Sequence, residues 1–379
     1  MVTISILIYA AIETVLLVAV SVRLQLALWR FRVKKSYTAA VTAPSVSVCI
    51  PARNEMHAMT QCLERVLASD YRKLEVIVFD DSSGDDTSVL IKSFAHAGVR
   101  FVPGSQLPDG WLGKNHALEI LAREASGTYV LFLDVDTYII PTTISQLVGY
   151  TMTENAEMIS VIPGRSDGWR MSVLFGHLRY LWELILSRRS APATASSLWM
   201  IRRTSLLDRF GGFGSLKANV APERALASAF GNQYRCLINT TTLGINYEKR
   251  WRSQLETSRR LLYPMIGSSP LRAGIVFVVL LLIVSPFFVV LSSLLFGWGI
   301  LQLEGVWILV AFMGVYGVLT SHLWRRGWWL GAVLWPAVII QETILFTASV
   351  VGYIRGTITW KGRPVTAKVL HSRAINIDK

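Results

Sequence analysis

Cysteine is scarce in this chain: three in 379 residues, Cys49, Cys62 and Cys236, with no C-x-x-C spacing. A disulfide framework is excluded, no zinc pattern is formed, and buried thiols in a reducing compartment are expected. Histidine is scarce too, at six. His57, His96 and His177 carry no signal, and no pair has zinc spacing. Charged residues make up only 17% against 52% hydrophobic, with a mean hydropathy of +0.42. A soluble domain carries about 25% charge, so the chain is too apolar to be wholly soluble. Intrinsic disorder and a collagen-like chain are excluded on the same grounds. There is no internal repeat and no low-complexity tract. A G-x-G-x-x-G after the first strand and a P-loop are both missing, which disfavours a dinucleotide-binding fold and a P-loop enzyme. Acids are outnumbered, 25 against 38 Lys and Arg, giving a net charge of +13. With no nucleic-acid motif legible, that excess points to membrane lipids and phosphate groups, not to nucleic acid.

What the chain has in quantity is apolar length. Val2 to Val22 is apolar apart from Glu13, and about 20 such residues span a bilayer. No basic residue precedes Arg23, so an uncleaved anchor is expected rather than a signal peptide. Arg23, Arg30, Arg32, Lys34 and Lys35 follow, and the positive-inside rule puts that end in the cytosol. Ala273–Phe296 and Val306–Leu323 are also long enough to span, with Glu304 in their linker and Arg325 and Arg326 after them. Trp328–Tyr353 holds Pro336 and the pair Gln341–Glu342, so either a single crossing or a re-entrant hairpin fits. The tail beyond it carries Arg355, Lys361, Arg363, Lys368, Arg373 and Lys379. Trp169–Leu186 is apolar but includes Arg170, His177, Arg179 and Glu183. It reads as an amphipathic helix lying on the bilayer, or as a span. Many of the thirteen Trp fall near the ends of these runs, as in an interfacial aromatic belt. The organisation expected is therefore an anchor over 1–35, a linker over Ala39–Pro44 opening a catalytic domain over 36–270, membrane helices over 271–354 and a basic tail over 355–379.

Within 36–270 the pattern changes. Val46–Ile50, Glu75–Phe79 and Tyr129–Leu133 are short apolar runs that read as buried strands. Ala58–Ser69, Thr87–Ala97 and Asn115–Glu124 read as helices between them. Strand–helix alternation predicts an α/β fold with an open, mostly parallel sheet covered on both faces. Ligands then bind beyond the carboxyl ends of the strands. Those ends carry the chemistry: Pro51-Ala52-Arg53-Asn54-Glu55, then Asp80-Asp81-Ser82-Ser83-Gly84-Asp85-Asp86-Thr87, then Asp134-Val135-Asp136. On a strand, residues i and i+2 share a face, so Asp134 and Asp136 can turn to one cation. Oxygen ligands of this kind suit Mg²⁺ or Mn²⁺, which also bind substrate phosphates. Asp109 to Ala117 reads Asp-Gly-Trp-Leu-Gly-Lys-Asn-His-Ala, and Lys114 falls near a helix N-terminus, an anion site. His116 beside it is a further candidate for a phosphate contact.

Taken together, Ile-Pro-Ala-Arg-Asn-Glu, Asp-Asp-Ser-Ser-Gly-Asp-Asp-Thr, Gly-Trp-Leu-Gly-Lys-Asn-His-Ala, Asp-Val-Asp, Gly211-Gly212-Phe213 and Trp360-Lys361-Gly362-Arg363 resemble glycosyltransferase family 2, with the GT-A fold. Gly-Trp-x-Gly-Lys-x-x-Ala with the later Trp-Lys-Gly-Arg is similar to the branch holding diaponeurosporenoate glucosyltransferases and hopanoid-associated glycosyltransferases. The resemblance is good over roughly residues 45–260 and extends to the flanking helices by layout. It implies that Pro51, Ala52, Arg53, Glu55 and Asp81 hold the nucleoside, with Asp80 as a further candidate. Lys114 would join the nucleotide-sugar site, and Asp134 and Asp136 would bind the metal and the sugar diphosphate. The family's base is commonly two adjacent acids past the Gly-Gly-Phe turn. This chain has the single Glu223 there, either the base or an ordinary first-turn acid. The family's Q/R-x-x-R-W helix is blurred, and Arg259 and Arg260 are candidates for diphosphate or anionic lipid.

The expected activity is metal-dependent, inverting transfer of a hexose from a nucleotide sugar, a UDP-hexose, to a lipid acceptor such as an apocarotenoid, hopanoid or glycolipid. The expected location is the cell membrane, multi-pass, with the catalytic domain in the cytoplasm. Transfer to a polyprenyl phosphate, or a degenerate membrane scaffold, are the alternatives.

Overall fold

The computed structural model describes residues 2–33, 35–37, 43–166, 178–324 and 326–365. Lys34, linker residues 39–42, Trp169, Arg170, His177, Arg325, Lys368, Arg373 and Lys379, all used above, lie outside the described residues. The described chain forms two compact units. One comprises the described residues of Met1–Arg30, Asp167–Ser187 and Arg250–Trp360, and the other those of Phe31–Ser166, Arg188–Lys249 and Lys361–Lys379.

The second unit is α/β. Its strands are β1 (Val46–Ala52), β2 (Leu74–Asp80), β3 (Val99–Pro103), β4 (Tyr129–Leu133), β5 (Thr137–Tyr138), β6 (Met158–Ile162), β7 (Gly164–Arg165), β8 (Leu198–Arg202), β9 (Tyr234–Ile238) and β10 (Asn246–Tyr247). Seven of them make one sheet in the order β3-β2-β1-β4-β8-β6-β9. Neighbours from β3 to β4 are parallel, and β8 runs antiparallel to both β4 and β6. The apolar runs of β1, β2 and β4 are buried on both faces, as parallel strands must be. Val48, Ile50, Val78 and Leu131 pack with Met59, Leu63 and Val66 from the helix Met56–Leu67. A small sheet, β5-β10-β7, stands beside the large one.

Two sequence expectations are modified. The helix expected over Thr87–Ala97 ends at Ser93 and continues as a 3-10 turn, Ala95–Ala97. The i→i+3 bonds Phe94 N to Ile91 O and Ala97 N to Phe94 O tighten its end. Asp134 and Asp136 are not on the strand. β4 stops at Leu133, and the Thr137 N–H closes a turn on the Asp134 carbonyl at 2.9 Å. The two acids therefore share a turn, and their proximity comes from its tightness, not from strand alternation.

The first unit is helical. Among the described residues, four helices are long and apolar enough to cross a membrane: Ile4–Arg30, Pro270–Phe296, Ile300–Leu323 and Trp335–Ile354. The last is one continuous 20-residue helix after a break at Leu334, with Pro336 in its first turn and no hairpin at Gln341–Glu342. Proline there is harmless, because that N–H has no partner within a helix. Some polar groups inside these helices are paired: the Trp182 indole N–H donates to Glu342 at 2.9 Å, and Ser285 bridges Tyr9 and Glu13. The described part of Trp169–Leu186 is the helix Leu178–Ile185.

Candidate active site

The turns after β1 and β2 are laced together. Asn54 and Ser82 both adopt left-handed backbone, φ +53° each, a conformation that clusters at functional loops. The Asn54 side chain accepts from Gly84 N at 2.9 Å, and the Asn54 N–H donates to Ser83 at 2.9 Å. Thr87 accepts from Glu55 N at 2.9 Å. Both oxygens of Asp80 are used within this loop, one by Ser83 at 2.5 Å and one by Ser88. Asp81 differs. It is 3% exposed, its Oδ2 takes Arg363 at 2.7 Å, and its Oδ1 is buried without a hydrogen-bond partner. Burial pushes its pKa up, opposed by Arg363 and Arg53. Arg53 Nη1 donates to the Asp81 carbonyl at 2.5 Å. Pro51 and Ala52 end β1 in register with Phe79 and Asp80.

Across the sheet edge, Lys114 lies in the first turn of the helix Gly113–Glu124 and donates to Asp134 at 2.6 Å. Burial alone would raise the Asp134 pKa. The Lys114 ammonium, backed by Lys249 and Lys361, more than offsets this and holds it below the ordinary value. Asp136 faces Lys249 at 3.9 Å. Burial, with Asp134 and Glu55 adding to it, keeps its pKa above the ordinary value despite Lys249. The small sheet brings Lys249 there: β10 precedes it, and the Glu248 N–H bonds the Asp136 carbonyl at 3.0 Å. His116 is buried edge-on to Trp111 and Phe79. Burial lowers its pKa, so the imidazole is largely neutral at pH 7.

Residues 47–208 match the family model "Glycosyl transferase family 2". Over that stretch, less than half of the chain, it is similar to that family. Over 109 residues it is 32% identical to the UDP-Glc:alpha-D-GlcNAc-diphosphoundecaprenol beta-1,3-glucosyltransferase WfaP of Escherichia coli, covering 29% of this chain and 42% of that protein. Over 95 residues it is 33% identical to the 4,4'-diaponeurosporenoate glycosyltransferase of Staphylococcus haemolyticus, covering 25% of each. The match thus spans less than half the length of either relative. Among solved structures, the mannosyltransferase PcManGT of Pyrobaculum calidifontis, in complex with GDP-Man and Mn2+, superposes with a TM-score of 0.53 at 19% identity. It covers 91% of this chain and 99% of that one, a likeness of fold.

Just beyond the matched stretch, Gly211 and Gly212 have φ of +66° and +77°. The turn they make lets the Phe213 N–H reach Glu119 at 2.6 Å, and Phe213 packs edge-on to Phe132. From there the chain is tied back to the Lys114 helix. The Asn115 amide donates to the carbonyls of Leu216 and Asn219 at 2.8 and 2.7 Å, and Asn219 accepts from Ala221 N at 2.9 Å. That fixes the start of the helix Pro222–Phe230, whose first turn carries the buried Glu223. Arg259 and Arg260 lie on the helix Trp251–Met265 of the helical unit, where Arg260 covers the Trp360 ring at 4.9 Å.

Among the described residues, no group of three or more His, Cys, Asp or Glu side chains could hold a metal ion. The donor set at the turn is two carboxylates, Asp134 and Asp136. That fits Mg²⁺ or Mn²⁺, which bind through one or two carboxylates and take the rest from water and phosphate. Three cations of the site were not singled out from sequence as site residues. Lys249 carried no signal. Lys361 and Arg363 stood in the Trp-Lys-Gly-Arg motif but were counted with the basic tail.

Proposed function

We propose that the protein is a membrane-bound, inverting glycosyltransferase that moves a hexose from a UDP-sugar to a lipid acceptor. The observation that carries this reading is the meeting of Asp81, Lys114, Asp134 and Asp136 at the carboxyl ends of β2 and β4 and the head of one helix. That cleft has an acceptor for a nucleobase, oxygen ligands for a cation and an ammonium for phosphate. The acceptor oxygen attacks the anomeric carbon as the bond to the diphosphate breaks. Asp134 and Asp136 would hold a divalent cation, which neutralises charge on the departing diphosphate. Lys114 stabilises the same charge. For a hydroxyl acceptor, Glu223 takes the proton.

A lipid acceptor is supported by four membrane-length helices and by relatives whose names specify a diphosphoundecaprenol-linked sugar and a diaponeurosporenoate. The basic flank of the first helix, with Arg23, Arg30 and Arg32, supports the cell membrane with the cleft in the cytosol. The test is lipid mass spectrometry of cells with and without the protein, joined to transfer from UDP-glucose by purified protein with Mn²⁺ or EDTA. A one-hexose mass difference on a lipid, and transfer that EDTA abolishes, are expected. No difference in lipid and no turnover of any nucleotide sugar would leave only the scaffold.

A further inference from the structure

Glu55 and Asp81 follow the first two strands, yet both are held by cations from the far end of the sequence. Arg363 Nη1 bonds Asp81 Oδ2 at 2.7 Å, on a carboxylate that Arg53 also approaches at 3.8 Å. The Lys361 ammonium donates to the Arg53 carbonyl at 2.7 Å and to the Glu55 carboxylate. The pair Arg363–Asp81 packs on Gly113, where a Cβ would come within 2.9 Å of the guanidinium and 3.0 Å of the carboxylate. Between the two cations the backbone is left-handed twice, φ +46° at Lys361 and +78° at Gly362. A lysine holds that conformation only where surrounding contacts compel it.

The consequence lies on the other oxygen. With Oδ2 taken by guanidinium, Asp81 Oδ1 is a buried acceptor with no donor. Such an atom calls for an N–H from outside the chain. Uracil offers one at N3, whereas cytosine has an acceptor at that position. We propose that Arg363 and Lys361 are positioning residues of the donor site. Arg363 fixes Asp81 through Oδ2 so that Oδ1 accepts the N3–H of uracil, and Lys361 fixes the loop after β1 on which the nucleoside rests. This rests on the nucleotide-sugar reading above. Arg363 does not touch the base; it holds in place the carboxylate that reads the base.

The test is binding of UDP and CDP to the full-length protein in lipid nanodiscs, with Mn²⁺ present. The wild type binds UDP more tightly than CDP. Arg363→Ala weakens UDP about ten-fold or more, the scale of one hydrogen bond to a charged group, and leaves CDP within about two-fold. Arg363→Lys restores part of the preference, since an ammonium supplies charge without the planar fork. Lys361→Ala weakens UDP and CDP alike. If Arg363→Ala does not fold, Arg363→Lys, with a UDP-over-CDP preference smaller than that of the wild type, carries the comparison. An unchanged UDP-to-CDP ratio in a folded Arg363 variant overturns the inference and leaves the donor reading standing. A wild type that binds UDP and CDP equally overturns it too. A wild type that binds neither UDP nor GDP removes the donor reading, and the inference with it.

Discussion

Asp136 faces an ammonium at 3.9 Å while Asp134 is paired with Lys114 at 2.6 Å. The two acids of one turn are thus unequal: Asp134 is committed to a cation of the chain, and Asp136 is the freer to meet one from solution. Asp136→Ala is expected to cut transfer on the order of 10²–10³-fold, the usual loss when one element of charge stabilisation goes. Mn²⁺ affinity, read by calorimetry, is expected to fall with it; full activity in that variant would refute the assignment. Glu223 decides a different matter. Glu223→Gln keeps size and polarity but accepts no proton, so with a hydroxyl acceptor turnover falls by about 10²–10⁴. UDP affinity stays as it was. With an acceptor that is already an anion, a phosphate or carboxylate, the loss shrinks to about ten-fold or less. Steady-state rates on the two acceptor classes tell these cases apart.

At the scale of elements, Glu75 at the head of β2 ties the sheet at its base. It accepts from Ser47 of β1 at 2.5 Å and from Ser126 N at 3.0 Å, and Arg100 of β3 stands 3.6 Å away. Burial raises its pKa, but these hydrogen bonds and Arg100 outweigh that and bring it below the ordinary value. The sign follows: the stability it contributes is present above the unfolded-state pKa near 4.3 and is lost as pH falls through the lower, folded value. Glu75→Gln is expected to cost about 1–3 kcal/mol at pH 7 and less at acid pH, as the folded carboxylate takes up its proton. Denaturation curves over a descending pH series measure this, and a cost that does not change with pH would contradict it. The same element scale shows what sequence reveals. β1, β2 and β4 were legible because buried parallel strands are written as unbroken apolar runs ending in turn residues, and those ends carry Asp81, Asp134 and Asp136. Lys249 was not legible, because what brings it to Asp136 is the two-residue pairing of β5 with β10, too short to leave a period. Nor was the split between Asp80 and Asp81. Adjacent acids look alike in a sequence, and only the Ser83 and Ser88 hydroxyls show that Asp80 is used up within its own loop.

For the whole molecule, the three cysteines give a way to read topology. All are buried and unpaired with one another, so a single exposed cysteine added at Ser105 reports against a quiet background. In intact cells, Ser105→Cys is expected to resist an impermeant maleimide and to react once the membrane is permeabilised. Labelling from outside would invert the proposed orientation.

The bond from Arg363 to Asp81 joins residues 282 positions apart. Synthesis runs from the N-terminus, so Asp81 leaves the ribosome long before its partner exists. Through that interval, while three of the membrane-length helices are being made, the carboxylate has Arg53 at 3.8 Å but lacks the guanidinium that bonds it at 2.7 Å. In the proposed donor site, the bond that fixes Asp81 is therefore made late. A ribosome that stops short of residue 363 releases a chain with every strand of the seven-stranded sheet and, on the donor reading proposed above, a nucleotide site without the guanidinium that fixes its carboxylate.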